Sequence, residues 1–331
     1  MNYPLRIIGI GRCLPERVVR NEEVEELCGL SPGSIEGTGA GVKERRWAQE
    51  ETTRSMGAEA ARLAVEDAGI QWDEVDLIIS ATAIQEQVLP DGAALIQREL
   101  GLGGSGIACM AIHTTCLGFL SALDVAGAFV SVGRHKTVVI INSEMPSEGL
   151  NFDQPSSAVL FGDAATAVVV RRTREGEGSR IEKVAFETYG EGADLTEVRG
   201  GGTRFHPNRE KTSREDNLFD MDGEEVFWMS LHFFPGFMER FEPGLLGSPM
   251  EDIDWIVPHQ ASKAALDAFG RLGADKRKII TTIETLGNCV SASMPLTLHK
   301  GVFEMGIKRG ERLLLVGTGA GLSFGAMTLI Y

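Results

Sequence analysis

Two kinds of hydrophobic pattern alternate along the chain. Short, almost continuously apolar runs, which are typical of strands buried on both faces, occupy residues 76–83, 137–142 and 164–170. Residues 55–68 and 92–100 instead place apolar positions at helical spacing, and each predicted helix is followed by a glycine. Residues 7–10 predict an edge strand. This alternation of strands and helices predicts an α/β fold with a sheet covered on both faces.

An internal repeat divides the chain into two similar parts. DEVDLII at 73–79 is matched by EDIDWIV at 251–257, and each is followed by a predicted helix that ends in Leu-Gly. A further apolar strand occupies the same place in each part, at 136–143 and 311–318. We therefore predict two duplicated βαβαβ halves packed about a pseudo-two-fold axis. The alternative is a chance likeness of two acidic-then-apolar segments.

The repeat also suggests domain boundaries. An N-terminal half over 1–172 and a C-terminal half over 218–331 would be joined by an excursion at 173–217. The excursion is rich in Gly, Arg, Glu and Thr, shows no sustained periodicity, and is too long for a plain connection. We expect it to lie over a functional site or to be a mobile insert.

Charge and cysteine content narrow the possible functions. The 331-residue chain has 47 acidic and 32 basic side chains, a net charge of −15, so we expect no nucleic-acid partner. Its five cysteines include no Cys-x-x-Cys pair, which argues against a disulfide framework or a zinc site. No apolar run is long enough to span a membrane, and no signal peptide is visible. We expect a cytoplasmic protein.

Cys116 is the first candidate for chemistry. It lies in HTTCLGFLSALDVAGAF, where an apolar helical stripe begins just after it and Thr114 and Thr115 are possible caps. At a helix start, free N–H groups and the positive end of the dipole favour a thiolate, and therefore a nucleophile. The alternative is an inert core cysteine, since cysteine is among the most often buried residues.

His259 and Asn288 are polar residues at chain positions that suit a catalytic site. His259 follows the apolar strand 255–258, at the carboxyl end where α/β sheets place functional groups, and it could act as base, acid or donor. Asn288, in a Gly-Asn step, offers an amide donor that does not titrate. A helix-start histidine bonded to backbone and a plain turn asparagine are the alternatives.

A glycine-rich loop, Gly-Thr-Gly-Ala-Gly-Leu at 317–322, follows the last predicted buried strand. Such a loop can bring a main-chain N–H close to a reacting carbonyl, where it would form an oxyanion hole with the N–H of Cys116. This loop has neither the GxGxxG nor the GxxxxGK[ST] spacing, so phosphate binding is the weaker interpretation of its glycines.

Together these segments resemble the thiolase superfamily, most closely the β-ketoacyl-ACP synthase III group and its relatives. The matching pieces follow the family's order over nearly the whole chain: GVKERR at 41–46, TCLGF at 115–119, FGDAA at 161–165, PHQA at 258–261, and GN at 287–288 with SMP at 293–295. The resemblance implies a thiolase-like, five-layered α-β-α-β-α core. It also implies a Cys-His-Asn triad at Cys116, His259 and Asn288, and an oxyanion hole from the N–H groups of Cys116 and Ala320.

The implied reaction is a two-step Claisen condensation. An acyl thioester loads Cys116, a malonyl thioester loses CO₂, and the enolate attacks the acyl group, with acyl-CoA or acyl-ACP as substrates and no cofactor. Two alternatives remain open. One is acyl transfer to a hydroxyl or amine without carbon–carbon bond formation, and the other is a non-catalytic subunit of a heterodimeric synthase.

Several positions depart from the family's pattern. Ile35 and Pro155 replace the tryptophan and arginine that hold adenine, Trp228 replaces a portal lysine, and Thr115 replaces an alanine. These changes suggest a specialised fatty-acid or secondary-metabolite enzyme. Leu89 stands where a relative that joins two long acyl chains has a glutamate base, and this replacement argues against that activity here. The usual assembly of the family is a homodimer in which this position reaches the neighbour's pocket.

Two sets of residues are expected to contact substrates. Candidates for an acyl tunnel are Leu89, Phe205 and Trp228, although ordinary core packing is the simpler interpretation for most such residues. Candidates for docking an acidic carrier protein are basic residues that follow His259 closely, namely Lys263, Arg271, Arg277 and Lys278. Scattered solubilising charge is the alternative for the second set.

Overall fold

A computed structural model describes residues 3–247 and 250–331 of the chain. Its strands are β1 Leu5–Cys13, β2 Val18–Arg20, β3 Glu44–Arg46, β4 Leu77–Ser80, β5 Ala108–Ala111, β6 Thr137–Glu144, β7 Ala164–Arg172, β8 Arg180–Thr188, β9 Thr196–Glu197, β10 Asp220–Met221, β11 Trp255–Pro258, β12 Arg312–Gly319 and β13 Ser323–Ile330. Its α-helices are α1 Asn21–Leu27, α2 Thr53–Asp67, α3 Gly92–Glu99, α4 Gly118–Ser131, α5 Pro155–Ala158, α6 Gly223–Phe241, α7 Lys263–Arg271, α8 Ile283–Leu286 and α9 Ser293–Lys300.

The larger sheet has the strand order β1-β7-β6-β4-β5. Strands β6, β4 and β5 run parallel, whereas β7 pairs antiparallel with both β6 and β1. The edge strand and the helices predicted at 55–68 and 92–100 are confirmed as β1, α2 and α3. Helix α2 begins with a capping box at Thr52 and Ser55, which satisfies two main-chain N–H groups of its first turn.

The second sheet repeats this arrangement with the order β11-β12-β13-β8. Strands β11, β12, β13 and β8 take the places of β4, β6, β7 and β1, and a bridge from Ile256 to Ile279 stands where β5 pairs in the first sheet. Strand β8 lies inside the segment 173–217 that was predicted to be a connecting excursion. That prediction was incomplete, because the half-exposed β8 lacks the continuous apolar run of a central strand. We propose that the second half begins at β8.

The two sheets enclose a central layer formed by α4 and α9. Phe119 and Leu123 of α4 and Leu298 of α9 pack in one core with residues of both sheets. Strand β6 is covered on both faces, with Ile140 in this central core and Ile141 in the core under α2 and α3. Helices α6 and α7 pack on the outer face of the second sheet. The layers therefore run α-β-α-β-α, as the fold prediction required.

Within residues 3–247 and 250–331, no helix is both long and apolar enough to cross a membrane.

Candidate active site

Cys116 lies on a tight turn at the start of the central helix α4. Residues Thr115–Leu117 form one 3₁₀ turn before α4 begins at Gly118. Thr115 has φ +48°, an uncommon conformation for a β-branched residue and one that often marks a functional turn. The expected threonine caps are absent from this helix start, because Thr114 Oγ1 donates to Ser121 Oγ at 2.8 Å.

The second half contains the same turn at the start of α9. Residues Val290–Ala292 form a 3₁₀ turn before Ser293, and Val290 also has φ +48°. The two turns pack directly together, because a Cβ on Gly118 would lie 3.2 Å from the Cβ of Ser291. The duplication therefore explains why Cys116 and the Asn288 segment, far apart in sequence, meet at the centre of the molecule.

The Asn288 side chain is held in one orientation by its neighbours. Its Oδ1 accepts a hydrogen bond from the Val290 N–H at 2.9 Å, and the main-chain N–H of Asn288 donates to the main-chain oxygen of Leu160 at 2.8 Å, which fixes the backbone. The residue is buried. Because Oδ1 already accepts a hydrogen bond, the side-chain group left to contact a ligand is the Nδ2 amide, which would do so as a donor.

His259 continues the β11 strand into the interior. Its N–H donates to the Val316 oxygen at 2.8 Å, which fixes its backbone against β12. Gly317, the next residue of β12, contacts both sides of the site, because a Cβ there would lie 2.7 Å from the Cβ of His259 and 3.4 Å from Leu117 Cδ2. Strand β12 therefore links His259 to the Cys116 turn.

An apolar cavity of about 220 Å³ lies beside these residues, between helices α6 and α7 and the ends of β11 and β12. Its polar lining includes His259, Asn288 and Thr318. The apolar side chains that line it include Val226, Phe227, Leu231, Phe234, Ala265 and Phe269. Cys116 does not line the cavity itself, but it packs against the apolar cluster that contains Leu160, a lining residue.

The ionisation state of Cys116 differs from the sequence prediction. The pKa of its thiol is raised to about 12, first by burial and then by the negative charge of Glu144, while only its own main-chain N–H lowers it. The rise above the ordinary value of 9.0 corresponds to ~4 kcal/mol. A helix start typically supplies only about 1 kcal/mol in the opposite direction. The prediction, made from the sequence, that Cys116 is a thiolate at rest is therefore wrong.

His259 is also uncharged at neutral pH. Burial lowers the pKa of its imidazole to about 4. Among the described side chains none pairs with its Nδ1. The resting site therefore combines a neutral thiol, a neutral imidazole and a neutral amide.

The predicted oxyanion hole falls on two neighbouring segments. Ala320 follows Gly319 at the end of β12, and a Cβ on Gly319 would lie 2.7 Å from Thr115 Oγ1. The N–H groups of Cys116 and Ala320 thus belong to segments in direct contact.

The predicted tunnel residues are not among those that line this cavity. Leu89 is 81% exposed and Trp228 is 58% exposed. Phe205 lies on a loop, with the guanidinium groups of Arg199 and Arg204 at 5.8 and 5.1 Å from the centre of its ring. Phe227, next to Trp228, does line the cavity. The role of Leu89 concerns a neighbouring subunit and stays a prediction.

The four predicted docking cations differ in how freely they face solvent. Arg271 is exposed, and Arg277 is exposed while paired with Asp275 at 2.8 Å. Lys263 pairs with Asp267 at 2.5 Å. Lys278 instead turns inward, where its Nζ donates to the main-chain oxygens of Met250 and Ile253 at 3.0 and 2.6 Å. This inward position makes Lys278 a structural residue.

Sequence reasoning missed Glu144, which is fully buried beside the Cys116 turn. Its carboxylate accepts hydrogen bonds from the N–H groups of Ala83 and Ile84 and from Ser291 Oγ. A signal was available, since an acidic residue lies directly after the apolar run that predicts a buried strand at 137–142. Ile35, at the position where adenine would stack in the family, is only 2% exposed and lies in the core.

Comparison with known proteins identifies the family. Residues 110–190 match the model of 3-oxoacyl-[acyl-carrier-protein (ACP)] synthase III, and residues 246–331 match that of its C terminal part. The β-ketoacyl-[acyl-carrier-protein] synthase III of Clostridium acetobutylicum is 32% identical over 326 residues, covering 98% of each chain. The enzyme of that name from Aquifex aeolicus is 33% identical over 332 residues, covering 98% of this chain and 99% of its own.

A solved structure agrees over the whole chain. The crystal structure of 3-oxoacyl-[acyl-carrier-protein] synthase III from Aquifex aeolicus VF5 gives a TM-score of 0.86 at 32% identity, covering 99% of this chain and 100% of the other. The fold described above is therefore shared with that enzyme over nearly the whole chain. The chain belongs to the β-ketoacyl-ACP synthase III family, a group of condensing acyltransferases within the thiolase superfamily.

Proposed function

We propose that this chain condenses an acyl group carried on Cys116 with a malonyl thioester, releasing CO₂ and a β-ketoacyl thioester. The observation that carries the proposal is that His259 and Asn288 line one apolar cavity next to the turn that holds Cys116. The cavity's apolar wall suits an acyl chain, whereas its few polar groups suit a thioester carbonyl.

In the first step, Cys116 Sγ attacks the carbonyl of the acyl donor. Because the resting thiol is neutral, the proton leaves sulfur as the new carbon–sulfur bond forms and passes to the sulfur of the departing donor. The N–H groups of Cys116 and Ala320 would stabilise the tetrahedral oxyanion. Collapse of this intermediate expels the donor thiol, which takes up the proton.

In the second step, the malonyl thioester loses CO₂ and leaves an enolate. A neutral imidazole carries one N–H, and with the Nδ2 amide of Asn288 it would donate to the enolate oxygen. The enolate carbon then attacks the acyl carbonyl on Cys116. The carbon–sulfur bond breaks, and the Cys116 thiolate that leaves takes up a proton from solvent.

The substrates are proposed to be CoA or carrier-protein thioesters, and the residues named above supply every catalytic group in these two steps. The exposed Arg271 and Arg277 support docking of an acidic carrier protein near α7. Burial of Ile35 supports a specialised member that does not stack adenine at this position. Exposure of the apolar Leu89 and its neighbour Val88 supports a homodimer that covers them.

The proposal is tested by following the mass of the intact protein with a series of acyl-CoA and acyl-ACP donors, then adding malonyl-ACP and measuring CO₂. We expect an acyl adduct on wild type and on the control variant Cys28→Ala, but none on Cys116→Ala. His259→Ala and Asn288→Ala should reduce CO₂ release far more than loading. Absence of any adduct across the donors would refute the proposal and favour a non-catalytic subunit, and loading without CO₂ release would favour simple acyl transfer.

A further inference from the structure

We propose that Glu144 is a positioning residue of this site: its carboxylate ties the two halves together beneath the start of α4 and places a buried acidic group beside the Cys116 turn. The proposal rests on the proposed role of Cys116 as the nucleophile.

Glu144 joins its own strand, β6, to two other segments through its two carboxylate oxygens. Oε1 accepts from the Ala83 N–H at 2.7 Å and from Ser291 Oγ, and Oε2 accepts from the Ile84 N–H at 3.0 Å. Ala83 and Ile84 belong to the loop after β4, while Ser291 belongs to the turn that follows Asn288 in the second half. One side chain of the first half thus holds the turn that carries the other half's contribution to the site.

Asn142, two residues earlier on β6, reinforces this attachment. Its Nδ2 lies 2.9 Å from both the Ala81 oxygen and Ser291 Oγ. A Cβ on Gly118, the first residue of α4, would overlap the Ala81 oxygen. The network formed by Asn142, Glu144 and Ser291 therefore lies directly under the helix that begins after Cys116.

Among the described side chains no cation compensates the charge of Glu144, and the hydrogen bonds from Ala83, Ile84 and Ser291 offset its burial only in part. The titratable groups that face it are the thiols of Cys116 and Cys289, and its charge raises the pKa of both. His113 contacts the Ala83 oxygen at 3.0 Å on the same loop. Among residues 3–247 and 250–331, no basic side chain lowers the pKa of Glu144, which burial raises to about 7. The charge on this carboxyl therefore changes within the physiological range of pH.

Two substitutions separate the charge from the reach of the side chain. Glu144→Gln keeps the length and removes the charge, although its amide nitrogen must leave one loop N–H without an acceptor. Glu144→Asp keeps the charge but is one methylene shorter, so it cannot reach both the loop and Ser291. Glu148→Gln, at an exposed acidic position four residues later, is the matched control.

The test is the rate of iodoacetamide alkylation at Cys116, assigned by peptide mass spectrometry, between pH 5.5 and 8.5. The ratio of the Glu144→Gln rate to the wild-type rate should be near one at pH 5.5, where Glu144 is protonated, and should rise to about tenfold at pH 8.5. Glu144→Asp should alkylate like wild type but condense with a lower kcat at an unchanged KM. Glu148→Gln should match wild type in both assays.

A folded Glu144→Gln protein with a ratio near one at every pH overturns the proposal, as does an equal effect in Glu148→Gln. If Glu144→Gln does not fold, wild-type turnover by Glu144→Asp overturns the positioning role. Alkylation needs no condensation, so the expected pH-dependent ratio without any malonyl decarboxylation would refute the proposed function while supporting the effect of the Glu144 charge on Cys116.

Discussion

Gly317 separates His259 from the Cys116 turn, and Gly317→Ala is the substitution that probes the geometry of the site most directly. The added Cβ would lie 2.7 Å from the Cβ of His259, whereas carbon atoms in contact prefer about 3.5–4.0 Å. Leu117 Cδ2 and Met294 Cε, both at 3.4 Å, would be in ordinary contact. The strain therefore falls on His259, which must move by about 1 Å.

A displacement of this size predicts a selective loss of one step. Misplacing a catalytic group by about 1 Å costs on the order of 100-fold in rate, so CO₂ release from malonyl-ACP should fall by that factor. Acyl loading of Cys116 should change only a few-fold, because Leu117 is not displaced. Overpacking should also lower the free energy of unfolding by about 1–3 kcal/mol. Intact-protein mass, CO₂ release and urea denaturation measure the three quantities.

Gly178→Ala is the matched control, because a Cβ there meets no atom within 4 Å. It should leave loading, decarboxylation and stability at wild-type values. The reasoning would be refuted by a Gly317→Ala protein that decarboxylates malonyl-ACP at the wild-type rate. A parallel loss of loading and decarboxylation would also contradict it, since that would mean that the whole site, and not His259 alone, had moved.

Three further predictions concern protonation, packing and docking. Burial holds the pKa of His259 near 4, whereas in the unfolded chain it is about 6.5, so the free energy of unfolding should fall as pH drops from 6.5 towards 4. His259→Gln lacks this titration. Between pH 7 and pH 4.5 it should therefore lose about 2–3 kcal/mol less stability than wild type, as measured by urea denaturation. Thr115→Val deletes a buried hydroxyl that has no partner among the described residues, so urea denaturation should show a gain of ~1 kcal/mol, with Thr115→Ser showing none. Arg277→Glu should raise KM for a carrier-bound substrate but not for a small thioester analogue. The control is Arg98→Glu, a charge reversal at an exposed position on α3, which should change neither KM. Equal effects of the two charge reversals would contradict docking near Arg277.

Central strands and their covering helices could be predicted because their signal is local. The apolar run that became β6 has both faces buried, and the helical spacing of α2 follows the one face it packs on the sheet. The half-exposed β8 carries no such signal, and only its pairing with β13 assigns it to the second sheet. A strand at a sheet edge is defined by its partner as much as by its own sequence.

Residue types at the site were predictable, whereas their electrostatic state was not. The motifs around Cys116, His259 and Asn288 identify the three residues, but a thiolate at Cys116 was expected from the helix start alone. Burial and the charge of Glu144 reverse that expectation, and both come from segments distant in sequence. The inward position of Lys278 likewise depends on main-chain oxygens of residues 250 and 253.

By itself, then, the sequence determined the order of strands and helices, the duplication and the chemical groups available. These follow from patterns a few residues long and from their recurrence along the chain. The tertiary structure alone decided which groups are charged, which cations are free and which turns touch. Desolvation and Coulomb interactions depend on distances through space, and folding brings together residues such as Glu144 and Ser291 that are 147 positions apart.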